Sequence, residues 1–115
     1  MSYREMWLFR YTNEGAAGVR NGGFAARRDV LSASVEAAGG QVTEFAFIHG
    51  DDEWDAMMIC EYPEPPPAAG LISGDFMARG AGTIAAERIS QLVAPEDVDD
   101  LIAGQGETPW KPAGS

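Results

Sequence analysis

Hydrophobic and polar positions divide this chain into four strand-like and three helix-like segments. Short runs rich in aromatic and β-branched residues indicate strands, and apolar residues that recur every three or four positions indicate helices. The predicted strands cover 5–11, 41–48, 54–62 and 83–93. The predicted helices cover 24–38, 68–79 and 95–102. The glycine-rich segment 12–23 is predicted to be a connection without regular structure.

The order of these elements, β-α-β-β-α-β with a last helix, predicts the ferredoxin-like α+β plan: one four-stranded antiparallel sheet with both main helices on one face. We expect a single domain over residues 1–103 and a flexible tail over 104–115. The third strand is apolar from Ala56 to Cys60 without alternation, as in a central strand covered on both faces. Because two helices cover only one face, we expect a second copy of the sheet to cover the other. The chain is thus predicted to be a homodimer, or a higher homo-oligomer, with a barrel-like interior.

The composition of the chain limits its possible binding partners and its cellular location. The net charge of −10 at pH 7 disfavours nucleic acid and anionic membrane surfaces as partners. No segment has the roughly 20 apolar residues of a membrane span. Cys60 is the only cysteine, and we interpret it as a buried apolar residue in a reducing, cytoplasmic protein. The glycines form no strand–GxGxxG–helix unit, so no nucleotide or other cofactor is expected.

Five stretches resemble the GYD-domain family and occur in the same order as there. They are Y-T-N-E-G at 11–15, G-G-F-A-A-R-R at 22–28, A-G-G-Q-V at 38–42, G-D-D-E-W-D at 50–55 and A-P-E-D-V-D-D-L-I at 94–102. The resemblance runs from about Trp7 to Ala103 and implies a ferredoxin-like, dimeric α/β-barrel-type fold. It transfers no catalytic residues, because the family is largely uncharacterised.

This chain departs from the family's compact Gly-x-Tyr-Asp signature at one turn. Asp51 and Asp52 lengthen the turn, and Trp54 takes the place of the tyrosine. His49 stands where relatives typically have an apolar residue. A function particular to this protein is therefore expected at this turn. The alternative is that the sequence of the turn has changed without any functional consequence.

The only histidine in the chain, His49, is a candidate general base, because an imidazole exchanges protons near neutral pH. We interpret His49 and Asp55 as catalytic residues, with the carboxylate orienting the ring. Period-two alternation puts His49 on the same strand face as Phe45 and Phe47. The competing interpretation is a solvated acidic turn. A divalent metal held by His49, Asp51, Asp52 and Asp55 is a third possibility, but the spacing matches no known ligand motif, so no metal is predicted.

The four predicted strands each receive one charge from a second set of candidates, which are Arg10, Glu44, Glu61 and Arg88 in order. If these residues share a face inside a dimer, Arg–Glu pairs neutralise them, or one arginine remains to hold the carboxylate or enolate of a small substrate. The aromatic side chains of the first two strands would then lie against the helices. The sequence does not decide which face carries the charges. We interpret Arg10, Arg88 and, from the turn, Trp54 as substrate-binding residues.

The predicted fold and the candidate residues are compatible with two classes of function. The first is a dimer that binds a small aromatic or polyketide-like compound and is a candidate cofactor-independent isomerase, cyclase or monooxygenase. That expectation depends on analogy between folds. The second is a non-catalytic ligand-binding or assembly module. An open pocket beside His49 or Arg10 would favour the first class, and a filled interior with satisfied Arg–Glu pairs would favour the second.

Overall fold

A computed structural model describes residues 2–105 of the chain. Its elements are β1 Tyr3–Tyr11, α1 Asn13–Gly22, α2 Phe24–Ala37, β2 Gln41–Phe47, β3 Ala56–Tyr62, α3 Ala68–Gly80, β4 Ile84–Leu92 and α4 Pro95–Gln105. All seven predicted elements are confirmed, with small differences at their ends. The predicted domain end at residue 103 falls inside α4, and residues 106–115 of the predicted tail lie outside the described residues.

The prediction for segment 12–23 was wrong, because most of it forms the helix α1. Thr12 is the N-cap, with its Oγ1 accepting a hydrogen bond from the amide of Gly15 at 2.9 Å. Gly15 is buried so close to the backbone carbonyl of Thr83 that a side chain there would overlap it. Several glycines lower the helix propensity of this segment. The helix is stabilised by its cap and by this distant contact, neither of which the hydrophobic pattern reveals.

The four strands form one antiparallel sheet in the order β2-β3-β1-β4, with β1 and β3 at its centre. This order and the two strand-helix-strand halves confirm the predicted ferredoxin-like α+β fold. The register shifts between Arg10 and Tyr11 where β1 pairs with β4, and between Val42 and Glu44 where β2 pairs with β3. The helix α1 is an addition to the six-element plan.

One face of the sheet, here called the helix-covered face, carries the hydrophobic core. The alternate β1 residues from Tyr3 to Tyr11 lie on it, opposite the β3 residues that alternate from Tyr62 to Ala56. Their core cluster takes in Val19 of α1 and Val35 of α2. The predicted aromatic set lies entirely on this face: Trp7, Phe9, Tyr11, Phe45 and Phe47. The aromatic side chains therefore face the helices, which settles the orientation that the sequence left undecided.

The other face, here called the open face, has an apolar centre with charged residues towards its ends. Its central side chains are Met6, Leu8, Met57 and Ile59, all half-buried and all outside the core cluster. Val19 of α1 and Val35 of α2 belong to the core cluster and Ala78 of α3 packs against it, so these three helices pack on the opposite face. Within the protomer, the two central strands are therefore covered well on one side only.

Candidate functional site

The turn at 48–55 is a well-bonded structural element. The amide of Ile48 donates to the carbonyl of Asp55 at 2.8 Å, which closes the turn. Gly50 has φ of 88°, a left-handed conformation that favours glycine. The Oδ1 of Asp51 accepts hydrogen bonds from the amides two and three residues further on, both at 2.7 Å. These bonds lower the pKa of Asp51, because they stabilise its charged form.

The predicted catalytic pair, His49 and Asp55, is not joined in this structure. Asp55 is attached to β1 instead: its amide donates to the carbonyl of Phe9 at 2.8 Å, and its Oδ2 accepts from the amide of Tyr11 at 2.9 Å. His49 is exposed, and within residues 2–105 no hydrogen bond connects it to Asp55. In the same part of the chain, no three side chains of the metal-binding types lie close enough to hold a metal ion. The geometry supports the structural interpretation of this turn.

The three predicted substrate-binding residues come together at one end of the open face. Arg88 lies opposite Leu8 in the β1–β4 ladder and Arg10 lies opposite Ala86, so the two arginines are diagonal neighbours. The indole ring of Trp54 is only 8% exposed, and its centroid lies 5.5 Å from the Cζ of Arg88, within reach of a cation–π interaction. Among the described residues, neither arginine has a carboxylate within salt-bridge distance. Arg10, Trp54 and Arg88 are called the cationic end below.

The opposite end of the open face carries charges of both signs. Arg4 of β1 lies directly opposite Glu61 of β3, and Glu44 of β2 lies opposite Ile59. Arg4 and Glu61 are half-buried, yet no ion pair joins them within the described part of the protomer. All four strand charges considered from the sequence thus share the open face, as does Arg4.

Two buried acids on the helix-covered face were missed by the sequence reasoning. Glu5 is fully buried; its Oε1 accepts from the Nε1 of Trp7 at 2.7 Å, while its Oε2 has no hydrogen-bond partner among residues 2–105. Glu87 lies opposite Phe9 on the same face, and neither of its buried carboxylate oxygens has a partner in that range. The alternation E-x-W-x-F-x-Y at 5–11 was the available signal, since it places Glu5 on the aromatic side of β1.

The surroundings of Glu5 are weakly acidic groups held in their neutral form. Cys60 lies directly opposite Glu5 and is fully buried. Burial first, and then the charge of Glu5, raise the pKa of the Cys60 thiol to about 12. Burial also raises the pKa of Tyr62 to about 12, with smaller contributions from its acidic neighbours. A thiol with so high a pKa is a poor nucleophile, which agrees with Cys60 as an apolar core residue.

Two concave regions lie away from both the turn and the cationic end. A cavity of about 250 Å3 lies between α1 and α2, beside Val19, Ala26 and Thr83. A second cavity of about 280 Å3 lies between Tyr62 and the proline-rich segment 63–67. His49 and Arg10 line neither of them. Arg10 and Arg88 are exposed, so the cationic end presents two guanidinium groups on the surface of the protomer beside the nearly buried Trp54.

The fold defines the class of protein as ferredoxin-like α+β. Comparison with protein-family models gives no match, and no curated protein matches the chain. No helix in the described range 2–105 combines the length and the apolar character that a membrane span requires. What can be inferred about function depends on the two faces of the sheet and the charged residues that each of them carries.

Proposed function

We propose that this chain forms a homodimer of the dimeric α/β-barrel type through its open face, and that it binds a small aromatic anion at the cationic end. The observation that carries the proposal is the apolar centre of the open face, where Met6, Leu8 and Ile59 lie outside the core. Burying apolar surface contributes about 25 cal/mol per Å2. A second copy related by a two-fold axis is the simplest cover for such a face.

The charge pattern of the open face fits a two-fold axis that runs parallel to the strands, between β1 and β3. Rotation about this axis places β1 of one copy over β3 of the other. Each residue keeps its position along the strand direction, so residues that lie side by side across the sheet, here called a row, face the same row of the second copy. Arg4, which lies in one row with Glu61, then meets Glu61 of the second copy. The ladder ends at Phe9 and Ala56, because Asp55 is bonded through its amide and its carboxylate to β1 of its own copy. Ion pairs thus form at one end of the interface, beside an apolar centre.

The same arrangement leaves Arg88 available for a ligand. Across the sheet, Arg88 lies in one row with Leu8, Met57 and Ala46. The two-fold rotation reverses the order of a row, so Arg88 faces Ala46 of the second copy, which has only a small apolar side chain. A guanidinium group binds carboxylates and enolates through two parallel hydrogen bonds. The nearly buried ring of Trp54 lies against this guanidinium group and positions it. A small aromatic carboxylate or enolate supplies the anionic group that Arg88 binds.

Two sequence features extend the proposal. The resemblance to the GYD-domain family, carried by five stretches in the family's order, supports membership of that family and the same dimeric architecture. A reducing, cytoplasmic setting is supported by Cys60, the only cysteine in the chain, which is buried in the core. A thiol in that position has no second thiol in its own chain with which to form a disulfide.

Sedimentation equilibrium tests the dimer. We expect the wild-type chain to sediment as a dimer at micromolar concentration. The Leu8→Glu variant should be a folded monomer, because it places a carboxylate in the apolar centre of the interface. Ile72→Glu is the matched control, because Ile72 is 60% exposed on α3 and should leave the dimer intact. A wild-type monomer at these concentrations would contradict the proposal.

Calorimetric titration with naphthoate tests the ligand site, with uncharged naphthamide as the control ligand. We expect Arg88→Gln to weaken naphthoate binding about tenfold or more, since a hydrogen bond to a charged group is lost. Arg20→Gln should leave binding unchanged, because Arg20 is exposed in the last turn of α1. Equal binding of naphthoate by wild type and Arg88→Gln would show that the cationic end does not hold the anion.

A catalytic role for the same dimer, of the isomerase, cyclase or monooxygenase type, is the second candidate. It depends on His49, which is exposed just after β2, one residue beyond the hydrogen bond of Ile48 to Asp55. Mass spectrometry of ligand that copurifies with the protein would identify a substrate. His49→Ala should then abolish turnover while changing the free energy of unfolding by less than about 1 kcal/mol. Unchanged turnover would exclude His49 and leave a binding protein.

A further inference from the structure

We propose that α4 is an exchanged arm: in the dimer proposed above, on which this inference rests, α4 of each copy docks into a concave region of the other copy. That region, here called the proline cavity, has a volume of about 280 Å3. It is lined by Ala38 and Gly39 at the end of α2, by Tyr62 and by the proline-rich segment 63–67. The occupant is thus a second copy of this chain.

The α4 helix has an apolar side that its own protomer leaves uncovered. Val98, Leu101 and Ile102 recur at intervals of three and four residues, so they share one side of the helix. They are 44, 62 and 59% exposed, respectively. Among residues 2–105, no helix or strand packs closely against α4. A helix of 11 residues is marginal by itself and is stabilised mainly when its apolar side packs against a partner surface.

The two sheet faces alone give a small interface. β2 and β3 have seven residues each, so the four-stranded sheet measures about 20 by 23 Å, and two such faces together have a flat area on the order of 900 Å2. Specific, stable interfaces bury about 1,200 to 2,000 Å2. A stable dimer therefore calls for further contact area, which two exchanged helices would supply.

The two-fold axis of the proposed dimer brings α4 towards the proline cavity. Leu92 at the end of β4 and Gln41 at the start of β2 are the two ends of one row, which runs through Arg4 and Glu61. Because the two-fold rotation reverses the order of a row, Leu92 faces Gln41 of the second copy. Two residues separate Leu92 from α4, so the helix begins within about 10 Å of it.

The proline cavity lies at the same end of the sheet as Gln41. Its lining residues Ala38 and Gly39 come within three residues of the start of β2, and Tyr62 is the last residue of β3. An α4 helix that starts beside Gln41 of the second copy therefore lies next to that copy's cavity. In its own protomer, β1 and β3 lie between β4 and β2, and α4 does not pack there.

The docking contact depends on apolar packing. Pro63, Pro65 and Pro67 are exposed beside the cavity, and proline rings lose almost no side-chain entropy when they are covered. Glu64 in the same segment is negatively charged, as are the four acids of α4, so ion pairs contribute no attraction here. Raising the salt concentration should therefore not weaken the contact.

Cross-linking of the full chain with a short bismaleimide tests the exchange in the double variant Ala38→Cys/Leu101→Cys. The native thiol of Cys60 is fully buried and should not react. We expect a covalent dimer on a denaturing gel, because position 101 of each copy lies beside position 38 of the other. Ala38→Cys/Asp100→Cys is the matched control and should give much less covalent dimer, since Asp100 lies on the polar side of α4.

Sedimentation equilibrium measures what the docked arm contributes. Leu101→Asp should weaken dimerisation about 100-fold or more, because a leucine side chain is lost from each of two symmetric contacts. Ala103→Asp is the matched control, because it adds the same charge on the polar side of α4 and should dimerise as the wild type does. Leu101 is exposed in the protomer, so its replacement should leave the fold intact, which circular dichroism checks.

Three results would overturn the exchange while leaving the sheet-to-sheet dimer in place. They are a wild-type dimer whose double variant forms no link between copies, equal cross-linking in the Asp100 control, and wild-type dimer affinity in Leu101→Asp. A wild-type chain that sediments as a monomer would instead overturn both the dimer and the exchange.

Discussion

Exchanging one pair of charges on the open face tests the symmetric dimer directly. Arg4 and Glu61 lie opposite each other inside the protomer, and in the proposed dimer each also faces its counterpart in the second copy. The two single variants, Arg4→Glu and Glu61→Arg, each turn both symmetric contacts between the copies from attractive to repulsive. Neither variant should form a homodimer at the concentrations where the wild type does.

The expected magnitude follows from the burial of these side chains and from the two-fold symmetry. Both residues are half-buried in the protomer and would lose more water in the interface. A reversed close pair in such a place costs about 2 to 3 kcal/mol, counting the lost attraction and the new repulsion. Two symmetric contacts sum to about 4 to 6 kcal/mol, which weakens dimerisation about 1,000- to 20,000-fold.

Mixing the two variants is the decisive step. In the mixed dimer, the two carboxylates of one chain face the two guanidinium groups of the other, so both contacts become attractive again. Within each chain the pair remains like-charged, so recovery cannot come from better folding of the protomer. Native mass spectrometry identifies the mixed dimer by its mass, and circular dichroism checks that each variant is folded. The symmetric arrangement is refuted if the folded variants remain monomers when mixed, or if either one dimerises as tightly as the wild type.

Three further predictions concern stability, each measured by urea unfolding. Gly15→Ala pushes a side chain against the carbonyl of Thr83 and should lower the free energy of unfolding by about 1 to 3 kcal/mol. Gly18→Ala in the same helix meets open space and should instead raise it by up to about 1 kcal/mol, so equal effects would contradict the close contact. Asp51→Ala should destabilise the turn and remove part of the acid sensitivity, because a group with a lowered folded pKa loses its stabilising effect as the pH falls through that pKa. The folded pKa of Tyr62 is about 12 against an ordinary 10.0, so stability should fall between pH 10 and pH 12, and Tyr62→Phe should reduce that fall; an unchanged alkaline slope would contradict it.

The sequence was sufficient for most of the fold, because strand alternation and glycine stops are local signals. It failed at α1, which has a weak apolar pattern and several glycines. That helix depends on the contact between Gly15 and Thr83, residues far apart in the chain. Propensity is a weak guide wherever a tertiary contact of this kind decides the conformation.

The candidate sites were predictable to different degrees. Arg10 and Arg88 were candidates as strand charges and Trp54 as a turn residue, but the cation–π contact of Arg88 with Trp54 depends on how the turn folds back. For His49, the pattern gave a chemically suitable residue without a partner, and the structure shows Asp55 bonded to β1 instead. The type of a residue can be read from the sequence, whereas the hydrogen bonds that its carboxylate accepts depend on the tertiary structure.

The two faces of the sheet present different electrostatic conditions, and one partner cannot satisfy both. On the open face, Arg4 and Glu61 lie in one row, so a second copy brings opposite charges together without any other molecule. On the helix-covered face, Glu5 and Glu87 have no basic strand residue beside them. A second copy on the open side does not reach these acids, because the sheet itself lies between. Dimerisation therefore leaves the buried acids as they are, enclosed within their own protomer.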